Sequence, residues 1–137
     1  MWWIYALLSA TFAALTAIFA KIGIKGVDTD LATGIRTVVI LLLAWILVFA
    51  KGSQSTIGSL TRINWIFLIL SGCATGFSWI CYFKALQLGR VSQVAPVDKL
   101  SVAISITLAA IFLGEPLTFK TISAALLIIA GTFILIF

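Results

Sequence analysis

The 137-residue chain has no histidine, and it holds only two prolines, two cysteines and one methionine. Without histidine it lacks the usual general base near neutral pH and the commonest metal ligand. Charge is also scarce. Lys and Arg number nine and Asp and Glu four, so 9% of residues are charged, against about 25% in a soluble domain. That is too little polar surface to be wetted, although the length alone would suit one soluble domain. The nine cations are scattered singly, which argues against a nucleic-acid face or a polybasic lipid-binding segment. There is no GxxxxGK loop, no glycine-rich dinucleotide turn and no carboxylate pair spaced for hydrolysis. Nothing in the pattern asks for a cofactor or a metal, and nothing positive supports an enzyme.

Cys73 and Cys81 lie eight positions apart in one apolar run. On a helix that separation is roughly 12 Å of rise, beyond the roughly 7 Å Cα limit for a disulfide. Two thiols also make a poor metal site, so both read as small packing residues.

What the chain does have is apolar length. Hydrophobic residues make up 63% of it, and the mean hydropathy is +1.25. Five apolar segments, at about 2–22, 31–50, 63–84, 94–113 and 119–137, each approach the roughly 20 residues that cross a bilayer. Strict alternation is absent, so a barrel is excluded and helices are required. The expectation is an all-α integral membrane protein, one domain over 1–137. Its N-terminus has no charged region before the apolar run and should remain as an anchor. Short links such as GEPLTFK imply antiparallel neighbours. Trp2, Trp3 and Trp65 sit where aromatic belts belong. Small residues recur every four positions at Ser9, Ala13 and Ala17, at Gly72 and Gly76, and at Ser101, Ser105 and Ala109. Such faces allow close helix approach, within the bundle or between protomers.

The stretch APVDKLSVAI raises the question of whether Asp98 and Lys99 lie in a loop or in the membrane. Only fifteen uncharged residues separate Lys99 from Glu115, roughly 22 Å of helix against a core of roughly 30 Å. The span should therefore start near 94–96, with Pro96 in its first turn and Asp98 and Lys99 about one turn inside. Positions 37–50 supply fourteen uncharged residues, again too few, so Arg36 is drawn into span two. Positions 63–83 supply twenty-one, and span three needs no help. Five-span topology then puts Lys21, Arg36, Lys84, Asp98 and Lys99 toward one membrane face. Ionisable groups within the membrane are functional-site candidates. Two readings stay open for these cations: they line a polar vestibule, or they snorkel to the headgroups. Asp98 is either a first-turn acid favoured by the helix dipole or a site for a cation or proton. Trp79 and Tyr82, with Phe83, supply either aromatic walls or an interfacial belt.

FKALQLGRVSQVAP followed by LSVAISITLAAIFLGEPLTFKTISAALLIIAGTFILI resembles the EamA domain of the drug/metabolite transporter superfamily. The resemblance rests on Ala85, Leu86, Gly89, Pro96, Leu113, Gly114, Glu115 and Gly131, with Lys21 and Arg36 also matching, and it covers essentially the whole chain. Most family members resemble two such units in one polypeptide, ten helices with inverted halves. This chain is similar to the single-unit, five-helix bacterial and archaeal subgroup. The resemblance implies movement of small metabolites across the cell (cytoplasmic) membrane without nucleotide hydrolysis; a single unit should then pair with a second, inverted copy as an antiparallel homodimer, since transporter sites form between inverted repeats. The absence of an acid in span one argues against a carboxylate-coupled multidrug antiporter built on a first-helix glutamate.

These expectations name Lys21, Arg36, Trp79, Tyr82, Asp98 and Lys99 as substrate-binding residues. The expected mechanism is alternating access by a secondary transporter of amino-acid-like or drug-like solutes. The expected partners are a solute, membrane lipids and a second copy. The competing classes are a small subunit that stabilises a larger membrane partner, and a lipid-carrier flippase. Orientation is not fixed by charge. The C-terminal face carries six cations and the other three, but removing the embedded Arg36, Lys84 and Lys99 leaves three against three.

Overall fold

The computed structural model describes residues 1–136. Those residues form α1 (Trp2–Gly23), α2 (Thr29–Ala50), a 3₁₀ segment (Ser53–Ser59), α3 (Arg62–Leu88), α4 (Val91–Asp98), α5 (Leu100–Phe112) and α6 (Phe119–Ile136). No strand occurs among them. Five stretches are long and apolar enough to cross a membrane, α4 and α5 together making the fourth. The fifth span, expected to reach 137, is described to Ile136; Phe137 lies outside the described residues. The architecture is all-α, as the composition requires.

Each connection ends its helix by a local device. Gly26, with φ 76°, takes the left-handed backbone after α1, and the Ile24 amide returns to the Ala20 carbonyl at 2.9 Å. Asp28 then caps α2, its Oδ1 accepting from the amides of Asp30 and Leu31, both at 3.0 Å. The polar link after α2 is itself ordered as the 3₁₀ segment. There Ser55, Thr56 and Ser59 donate back to carbonyls three residues earlier. Gly114, with φ 67°, turns the chain after α5, and the amides of Leu113 and Glu115 both reach the Ala109 carbonyl. Thr118 opens α6 by accepting from the Thr121 amide at 3.2 Å.

Two elements differ from the lengths expected. The helix α3 has 27 residues, roughly 40 Å, and continues past 84 to Leu88. Span four begins at Val91 rather than at 94–96. Arg90 is extended there (ψ 144°), and its carbonyl accepts the amides of Gln93 and Val94. Pro96 therefore sits inside α4, not in a first turn. It has no amide to give the Ser92 carbonyl, so one rung of the ladder is missing. Just beyond, the ladder tightens to 3₁₀ spacing: Lys99 donates to Pro96 and Val102 to Lys99, both at 3.0 Å. A proline is a sufficient cause for a break here. Asp98 and Lys99 mark the joint between α4 and α5, about two turns into the span.

The chain forms two compact units, Ala20–Gln87 and Met1–Phe19 with the residues from Leu88 onward. In the first unit Ala20, Ile24, Thr29, Thr33, Phe83 and Leu86 are buried. In the second, α6 lies against α4 and α5, and buried Thr132 donates to the carbonyls of Ile128 (2.8 Å) and Pro96 (3.2 Å). No more than 11% of any span's apolar window is buried. Exposed apolar surface on that scale marks contact with membrane or partner. Cys73 and Cys81 are free.

The cap at Asp28 gives a direct prediction. Asp28→Ala should destabilise the protein by about 1 kcal/mol, the usual cost of losing such a cap. Asp30→Ala, which removes only a charge from the first turn, should lower the thermal midpoint in mild detergent by less.

Candidate functional site

The cap fixes where α2 starts, and the register then decides which residues share a face. Thr29, Thr33 and Arg36 recur at four and three positions, so they lie along one stripe. Thr29 and Thr33 are buried. The Thr33 and Thr37 hydroxyls donate to the Thr29 and Thr33 carbonyls at 2.7 and 2.8 Å. Arg36, on the same stripe, extends over α3. Its guanidinium carbon lies 4.1 Å from the centre of the Phe83 ring, a cation–π contact. Phe83 is 1% exposed, and the Tyr82 ring meets it edge-on, with centroids 5.6 Å apart. Trp79, one turn earlier on α3, is half-buried.

Phe83 is held in place by the end of α3. Lys21, in the last turn of α1, donates from Nζ to the Leu86 carbonyl. This puts a cation on the negative end of α3, where the helix dipole favours it. Gln87 Nε2 donates to the Val27 carbonyl at 3.1 Å. Two side-chain hydrogen bonds thus tie the last turns of α3 to the last turn of α1 and the segment that follows it. Lys21 is engaged in this tie; Lys84 is exposed.

One polar atom stands out. Arg36 Nη1 is buried and has no hydrogen-bond partner among the described residues. The Phe83 ring attracts the charge, but it gives the Nη1 N–H groups no oxygen to bond. An unsatisfied buried donor costs about 1–3 kcal/mol, and more when it is charged. The long side chain lies against Phe83, partly buried.

The structure brings Lys21, Arg36, Trp79 and Tyr82 into the unit Ala20–Gln87. Asp98 and Lys99 belong to the other unit and face each other at 3.4 Å, with side chains 37% and 57% exposed. In that unit a cavity of about 290 Å³ is lined by Ile106, Glu115, Pro116, Leu117 and Thr121. The sequence pattern marks Glu115 only as the end of a span. The cavity arises because Gly114 and Pro116 turn the chain back there. Among the described residues no group of three His, Cys, Asp or Glu could hold a metal ion.

Lys21→Met should remove the tie to α3 and lower stability by about 1–3 kcal/mol, the range for hydrogen bonds to charged groups. The measurement is thermal unfolding in mild detergent. An unchanged midpoint would deny the tie its structural weight.

The family model of the EamA-like transporter family matches residues 1–137. A Sinorhizobium sp. protein named an uncharacterized transporter in the cobO 3′ region is 46% identical over 134 residues, covering 98% of this chain and 95% of that protein. No solved structure matches. A whole-length match on five apolar spans leads to one conclusion: the chain belongs to the EamA-like transporter family and is a multi-pass membrane transporter.

Proposed function

We propose that the chain is a secondary transporter of small metabolites, amino-acid-like or drug-like solutes, working by alternating access as a homodimer in the cytoplasmic membrane. The observation that carries this reading is the Arg36 guanidinium, held over the Phe83 ring within a membrane-spanning helix, with its Nη1 buried and unbonded by the described residues. Charge held inside a span is costly, and it is typical of solute and ion pathways. In this reading Arg36, Trp79 and Tyr82 are solute-binding residues, and Asp98 and Lys99, at the joint in span four, are a second pair of candidates. Interrupted spans are where transporters commonly place such groups. Lys21 holds the aromatic wall in position.

The dimer follows from the size of the unit. Transporter sites form at the interface of two repeats, and five spans make one. The Sinorhizobium relative is of about the same length. On α3, a Cβ added at Gly72 or Gly76 would meet nothing within 4 Å. Their own chain therefore does not use these glycines for close packing, and a second copy would. On α5, Ser101 and Ser105 are likewise exposed.

Two measurements test the proposal. In mild detergent the purified protein should have the mass of a homodimer, and Gly72→Leu or Gly76→Leu should shift it toward monomer. A stoichiometric complex with a larger protein would contradict this. In proteoliposomes Lys99→Ala should cut solute uptake at least tenfold, and unchanged uptake would remove Lys99 from the pathway.

A further inference from the structure

The chemistry around Arg36 narrows the class of solute. We infer that Arg36 is the recognition point for a carboxylate on the transported solute, an inference that rests on the transporter reading above. The guanidinium is a fixed group. Its carbon lies 4.1 Å over the Phe83 ring, Phe83 is buried, and the end of α3 is tied down by Lys21 and Gln87. The planar fork of N–H donors on a guanidinium matches a planar carboxylate.

Two of the four acidic side chains are already engaged by other groups. Asp28 is committed to the first amides of α2, and Asp98 faces Lys99. Glu115 lines the cavity of the other unit. No carboxylate, hydroxyl or carbonyl of the described residues accepts from Nη1. A buried donor is normally matched, so one that is unmatched in the empty protein points to an acceptor that arrives from outside.

The test uses the full chain, purified in neutral detergent. Thermal midpoints are recorded with the twenty common amino acids, short monocarboxylates, the matched amide of each acid, and inorganic phosphate. At least one carboxylate should raise the midpoint, and its amide should bind at least tenfold more weakly. Arg36→Gln should abolish the response, while Arg36→Lys, which keeps the charge but loses the planar fork, should retain part of it. The Lys variant also shows that loss in the Gln variant is not misfolding. Equal binding of acid and amide, an undiminished response in Arg36→Gln, binding of phosphate alone, or no response to any acid would each overturn the inference. A lipid headgroup is the other source of an oxyanion. If phosphatidylglycerol added to phosphatidylcholine nanodiscs gives an Arg36-dependent shift and blocks the acids, the site belongs to lipid and the inference fails. Proteoliposome counterflow separates the two readings. Neutral or cationic solutes carried without need of Arg36 would leave the transporter standing and remove the carboxylate. Carboxylates bound but never carried would do the reverse.

Discussion

Lipid cannot hydrogen-bond a peptide group, and the rest of this structure follows from that constraint. Every amide and carbonyl within a span must be matched by its own segment or by a neighbour, so the apolar chain becomes helices. The places where matching cannot be completed internally are then few and specific: helix ends and the joint in span four. Asp28 and Thr118 meet amides at helix starts, Lys21 meets a carbonyl at the end of α3, and Thr132 reaches the Pro96 carbonyl at the joint. The polar residues of this chain are used mostly in that way.

Arg36 departs from the pattern. It is neither a cap nor a tie, and its guanidinium lies on an aromatic face with one donor unmatched. Such an arrangement is costly in stability, and a membrane protein made only to span a bilayer would have no use for it. In the transporter we propose, a solute that completes the hydrogen bond offsets that cost. The ring under Arg36 lies near the end of α3 that the ties at Leu86 and Val27 hold.

Much of this was legible in the sequence because length is a strict quantity in a membrane. Counting uncharged residues is enough to draw Arg36 into α2 and Asp98 and Lys99 into the fourth span, where the structure places them. Local signals such as Gly114 before Pro116 also mark a helix end. What counting could not supply was where span four begins. Pro96 is welcome in a first turn, yet Arg90 starts the helix earlier, and the proline becomes an interruption instead. Nor does spacing reveal that Lys21 would reach α3, or that Arg36 and Phe83, 47 positions apart, would stack. Those are tertiary contacts between helices whose rotation no short motif fixes. The Glu115 cavity escaped for a related reason, since it depends on how the chain turns back between α5 and α6.

The central claim is that this chain, alone in a bilayer, moves small solutes through a site at Arg36. Counterflow in proteoliposomes containing only the purified protein tests it most directly. Vesicles preloaded with unlabelled solute should accumulate the labelled form without ATP, and Arg36→Gln vesicles should not. Failure of the purified protein to exchange any member of a broad panel of amino acids, monocarboxylates and drug-like solutes would contradict the account.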